Sequence, residues 1–260
     1  MKRLRTEAEA LCRAVAPELA GRPLYVVLAS DVYADPGNGD GPDGCTMRHL
    51  DLMLRPTLER LGRWSGRGPA MVLDPRSIAR TAARRIRPAR RRVFAPAALG
   101  VAIHELAHVL TAEPDEAEPT AEYVKAGRAM LTADADGTET PTNGPGAAVP
   151  WRGHEWAFIR AALHLTHRAA ALGVDLTPRD VFDAEPHGLA PTGRYVAALG
   201  DEPDRLAGCD FATIARTPPP AAFAELWLAD VRGWLERPDV RDEMVRMLAR
   251  CAHRITIPQA

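Results

Sequence analysis

The sequence predicts an α+β fold that is mostly helical, with a small sheet packed on a long apolar helix and a helical C-terminal region. Three observations carry that expectation. Short apolar runs of strand type fall in the first hundred residues, helical periodicity dominates from residue 97 onward, and prolines cut the last third into short helical pieces. With 260 residues, 46% of them hydrophobic and 26% charged, the chain can bury a substantial core and lies outside the disordered and collagen-like classes. We divide it into a core domain over 1–175 and a helical extension over 176–260 that packs on the core.

Leu4, Leu11 and Val15 among charged residues predict an amphipathic helix over 4–16, stopped near Pro17. Leu24 to Ala29 reads as a short buried strand. Residues 35–44 alternate Asp, Asn, Gly and Pro and are expected to form a loop. They lack the bidentate Glu of an EF-hand, so a turn-rich connection is the better reading than a calcium loop. Leu50, Leu54, Leu58 and Leu61 share one helix face. Ala70 to Leu73 is a second strand, closed by Asp74 and Pro75. Helices are then expected over 97–110, 120–131 and 154–172. The last carries Phe158, Ala161, Ala162, Leu165 and Ala169 on one side and ends at Gly173. Between the second and third of these lies a Thr/Gly/Pro/Asp-rich loop over 133–150, placed here as a lid. Beyond residue 178, helical segments are separated by Pro186, Pro203 and Pro218 to Pro220, with Trp227 and Trp234 on one helix face as packing residues.

Several function classes drop out on composition. No apolar run approaches the ~20 residues of a membrane-spanning helix. The basic N-terminus runs into Glu7 and Glu9 rather than an apolar segment, unlike a secretory signal. Cys12, Cys45, Cys209 and Cys251 are scattered with no C-x-x-C pair, which argues against a disulfide framework or a cysteine zinc ribbon and for a reducing cytoplasm. The net charge of −1 gives no global field for nucleic acid. Arg76, Arg80 and Arg84 share a helix face within the arginine-dense stretch 76–92, which could follow a phosphate backbone. Lys2 and Lys125 are the only lysines, so this density reflects an arginine-biased composition, and only Phe94 offers a nearby aromatic. A solvated face paired with surface acids is the simpler account.

The chemistry lies in His104-Glu105-Leu106-Ala107-His108, an H-E-x-x-H. On a helix the two imidazoles face one way and can reach one metal ion, while Glu105 sits about 100° around the turn, in reach of a bound water. The motif interrupts an apolar stretch, Leu99 to Ile103 before it and Val109-Leu110 after it. Ionisable groups buried there need a reason, and binding a cation supplies one. A catalytic zinc takes three protein ligands and keeps a fourth position open. Thr111 and Pro114 occupy the Gly and third-His positions of the extended metzincin pattern, which excludes that arrangement. His154, at the start of a strong helix and flanked by Gly153, Trp156 and Phe158, is the expected third ligand. Glu122, on the preceding helix, is the alternative and would give a two-His, one-Glu site. His164 and His167 point away from His154 and are read as structural.

An H-E-x-x-H helix followed by a helix opening with a His-Gly pair and aromatics resembles the zincin metallopeptidases, particularly SprT-like ones. The matching residues are His104, Glu105, His108 and His154, with Trp156 and Phe158 behind the last, over about 97–172. Here Gly153 precedes the histidine instead of following it. The resemblance implies a zincin-like core over 1–175, Zn²⁺ held by the three histidines, Glu105 as general base and a protein or peptide substrate. It also implies a substrate lying as an extra strand along the sheet edge, for which 24–29 and 70–73 are the candidate strands. Two alternatives remain beside it. One is a non-catalytic zinc protein, with a group such as Cys45 closing the fourth position; the other is a nucleic-acid-binding module using Arg76 to Arg92.

Overall fold

The computed structural model describes residues 2–32, 43–85, 94–112, 118–133, 156–182 and 192–236. The chain is mostly helical with one small mixed sheet, as an α+β fold requires. Helix α1 (Lys2–Val15) is followed by a 3₁₀ turn at Pro17–Leu19 and strand β1 (Tyr25–Leu28). Next come α2 (Ala29–Val32), β2 (Gly44–Cys45), α3 (Leu50–Arg60), β3 (Ala70–Leu73) and α4 (Pro75–Arg85). The central helix α5 (Phe94–Thr111) precedes α6 (Ala121–Ala133) and α7 (Trp156–Ala171). The remaining described helices are α8 (Pro178–Phe182), α9 (Thr192–Leu199), α10 (Glu202–Arg205), α11 (Phe211–Arg216) and α12 (Ala221–Leu235).

The strands lie in the order β1-β3-β2. β1 and β3 are parallel, with Tyr25 opposite Ala70 and Leu28 opposite Leu73. β2 runs antiparallel to β3, with Gly44 opposite Leu73 and Cys45 opposite Val72. Both longer strands are apolar on both faces, as a covered sheet demands. Val26, Leu28, Met71 and Leu73 face the main core with α1 and α5, whereas Tyr25, Val27, Ala70 and Val72 pack on Leu50, Met53, Leu54 and Leu58 of α3.

The edges of this sheet correct the expectation for strand addition. β3 is the middle strand and is not an edge. β1 is at an end, and side chains engage part of the backbone along its outer side: Arg63 Nη1 donates to the Val26 carbonyl at 2.8 Å and Arg13 Nη2 to that of Leu24, just before the strand, at 3.4 Å. The Leu28 amide donates to Asp31 Oδ2 at 3.4 Å on the same side. Glu9 ties the two arginines together, 2.5 Å from Arg63 and 3.7 Å from Arg13. Side chains thereby occupy several of the positions at which another strand would pair. The opposite end is β2, whose Gly44 was expected within a loop.

Helix α5 sits at the centre, in contact with α1, α4, α7, α8, β2 and β3. By length and composition alone its 18 residues are long and apolar enough to cross a membrane, which corrects the expectation that no apolar stretch comes near that length. In the fold, Ala97, Ala98 and most side chains from Val101 to Ala107 are packed inside the protein. The helices beyond α7 join the same apolar cluster through Val181, Phe182, Tyr195, Phe211, Phe223 and Trp227. The α7 stop is as expected, with Gly173 at φ +79° and the Val174 amide donating back to Ala169. Of the loop expected over 133–150, Ala133 instead closes α6, and the rest, like the side chain of Trp234, lies outside the described residues.

Candidate metal centre

His104 and His108 come from consecutive turns of α5, and their rings meet edge-on with centroids 5.1 Å apart. His104 is 5% exposed, Glu105 6%, and His108 half-buried. Phe158 of α7 lies against both imidazoles, 4.9 Å from the His104 ring and 4.2 Å from the His108 ring. The two histidines therefore share one apolar wall.

The His104 Nδ1 atom is 3.0 Å from the Val181 carbonyl oxygen of α8. A carbonyl only accepts, so Nδ1 carries the hydrogen. Burial pushes the ring's pKa down to about 4, against the opposing pull of the Val181 hydrogen bond. At neutral pH the ring is uncharged and presents an Nε2 lone pair, which is the state in which imidazole binds a metal. Burial, and then the charge of His104, lower the His108 pKa to about 3, so it too is neutral. An N–H donated to a backbone carbonyl is the usual orienting partner of a ligating histidine.

A glycine makes that bond sterically accessible. Gly100 lies one turn before His104, and a Cβ there would fall 2.2 Å from the Asp180 carbonyl oxygen. Only a residue without a side chain lets the backbone of α8 come so close, which brings the next carbonyl, that of Val181, to His104. Glu105 projects elsewhere, toward β2. A Cβ on Gly44 would lie 2.8 Å from Glu105 Oε1 and 3.0 Å from its Cγ.

The donor chemistry fits a zinc ion at two positions: neutral imidazoles one helical turn apart, one of them held in its ligating tautomer. Among the described residues no group of three His, Cys, Asp or Glu side chains is placed to hold an ion. His154 lies outside the described residues. Glu122 is exposed in the first turn of α6, a helix that packs on α3 through Arg128, whose guanidinium donates to the Leu52 and Met53 carbonyls. Cys45 is half-buried in β2 and belongs to no such group. Of the arginine segment, Arg76 is exposed and Arg80 half-buried on α4, and residues 86–93 lie outside the described residues.

His164 and His167 serve elsewhere. Fully buried Glu202 accepts from Arg160 Nε at 2.7 Å, Arg160 Nη2 at 3.1 Å and His164 Nε2 at 2.7 Å. Burial pushes the Glu202 carboxyl up, but the hydrogen bonds from His164 and Arg160 outweigh it and hold the group below the ordinary carboxylate range. Arg160 also donates to the Thr217 carbonyl at 2.8 Å, so one charged knot joins α7, α10 and the end of α11. His167 lies 3.1 Å from Asp204. The sequence held one signal for this knot: Arg160 and His164, one turn apart, interrupt the otherwise apolar stretch Trp156 to Leu165 of α7 and call for a buried acid.

Comparison of the chain with protein-family models, with curated proteins and with solved structures finds no match.

Proposed function

We propose that the chain is a zinc-dependent metallopeptidase with a zincin-like core, hydrolysing peptide bonds of a protein or peptide substrate. The observation that carries this is His104: a buried, neutral imidazole whose Nδ1–H is committed to Val181, one turn from a second neutral histidine. Two neutral imidazoles one helical turn apart against one apolar wall are donors that suit a divalent cation.

His104 and His108 would hold the ion, with His154 as third ligand. His154 stands two residues before the start of α7, and Phe158 of that helix touches both rings. Bound there, zinc supplies Lewis acidity, polarising the scissile carbonyl and acidifying water. Glu105 accepts the proton of the attacking water and returns it to the leaving nitrogen, the ordinary exchange of a general base for a general acid. β2, at the end of the sheet and against Glu105, replaces the two longer strands as the edge along which an extended substrate lies.

The test is Glu105→Gln assayed on fluorescein-labelled casein. The proposal expects zinc content equal to that of the unaltered protein and cleavage reduced by ~10²-fold or more. Cleavage that persists unchanged rejects Glu105 as base, and a protein that holds zinc but cleaves nothing in either form favours the non-catalytic zinc reading.

A further inference from the structure

Resting on that reading, we infer that Gly44 is a positioning residue: its missing side chain is the space in which the Glu105 carboxylate sits. A Cβ at residue 44 would fall 2.6 Å from Val101 Cγ1, 2.8 Å from Glu105 Oε1 and 3.0 Å from Glu105 Cγ. The strand backbone itself therefore forms one wall of the carboxylate's site, and the two neighbours that would have to yield are both side chains of α5.

β2 is held so that it cannot retreat. The carboxylate of Asp43, the residue before Gly44, accepts from Ser77 Oγ at 2.6 Å and Thr81 Oγ1 at 3.0 Å on α4. The Asp43 carbonyl accepts from the Asp74 amide at 2.9 Å. On the other side Cys45 pairs with Val72, and Thr46 Oγ1 donates to the Ala70 carbonyl at 2.7 Å. With the strand clamped before and after Gly44, an added methyl presses on Val101 Cγ1 and on the end of the Glu105 side chain. The three atoms nearest that methyl belong to Val101 and Glu105, and none to His104 or His108. A general base moved by about 1 Å loses on the order of 10²-fold in rate.

The probe is acetohydroxamate, a small zinc ligand whose hydroxyl needs an acceptor where Glu105 lies, so its binding needs no knowledge of the substrate. Zinc content and acetohydroxamate affinity are measured by calorimetry for the unaltered protein, Glu105→Gln and Gly44→Ala, with casein cleavage alongside. Gly44→Ala is expected to keep full zinc, bind acetohydroxamate at least tenfold more weakly, in the direction of Glu105→Gln, and lower kcat with KM unchanged. Should Gly44→Ala fail to fold, Gly44→Ala combined with Val101→Ala removes the other overlap and leaves Glu105 as the neighbour to be displaced. Full acetohydroxamate affinity in the folded variant overturns the inference, and so does loss of zinc, which would place Gly44 behind the histidines instead. An effect of Gly44→Ala without any effect of Glu105→Gln overturns it as well. If the unaltered protein binds no zinc, the metallopeptidase reading falls first and this inference with it; if it binds zinc and acetohydroxamate but leaves casein intact, the affinities still decide the role of Gly44.

Discussion

The Nδ1–H of His104 is donated to the carbonyl oxygen of Val181 across 3.0 Å, and the approach that permits it runs over Gly100. Gly100→Ala puts a methyl group into the Asp180 carbonyl, so α8 must move off α5. We expect a loss of roughly 1–3 kcal/mol in unfolding free energy from the overpacking. Zinc affinity should fall ~10–100-fold as the orienting bond is lost. Denaturant melts and a zinc titration against a competing chelator check both, and unchanged zinc affinity in the variant would show that Val181 does not orient the ring.

Phe158→Ala removes the wall shared by the two imidazoles. Loss of a fully buried phenyl group costs about 3–5 kcal/mol. The metal-free protein should show that loss in its denaturation midpoint, with zinc binding weakened as both rings gain rotational freedom. A variant as stable as the unaltered protein would mean that Phe158 does not fill the space between α5 and α7.

The two histidines give the metal-free protein a pH dependence of definite sign. Their folded values, about 4 and about 3, lie below the ordinary 6.5, so the unfolded chain binds more protons over that interval. Stability is therefore insensitive to these groups above 6.5 and falls as the pH is lowered toward 4. Each histidine lowers the folding constant by up to about tenfold per pH unit. Urea melts of metal-free protein at several pH values, beside a His104→Gln/His108→Gln variant, measure this; equal slopes for the two proteins would refute it.

Within the Arg160–Glu202–His164 knot, the Glu202 carboxyl is held below its ordinary range. Because the Glu202 pKa is held below the ordinary 4.5, its contribution is full above that value and is lost as pH falls through the folded one. Glu202→Gln leaves the Arg160 charge uncompensated inside the protein and is expected to cost roughly 3–5 kcal/mol at neutral pH. The variant should also lose less stability than the unaltered protein on acidification below 4.5. Thermal melts at neutral and acid pH give both quantities.

What could be read from the amino acids follows the range of the interactions involved. β1, β3, α5 and the Gly173 stop rest on local pattern, an apolar run or a turn residue, and lie where the sequence places them. β2 was not legible: Gly44 and Cys45 have no strand preference of their own and are a strand only because β3 pairs with them. Glu202 precedes Pro203, one of the breaks between helical segments, and only the fold of α10 onto α7 buries it. The histidine pair was visible from spacing, but its orienting partner is a backbone carbonyl, which no side-chain motif can announce. The apolar character of α5 over its whole length is masked in the sequence because His104, Glu105 and His108 fall in its second half, while the helix averages over them.

The most direct measurement is zinc per chain after reconstitution and desalting, for the unaltered protein and for His104→Ala, His108→Ala and His154→Ala. A zincin-type centre requires about one equivalent in the first and loss of tightly held zinc in each variant. A chain that takes up no zinc, or that keeps it when both His104 and His108 are replaced, would contradict the metal centre outright.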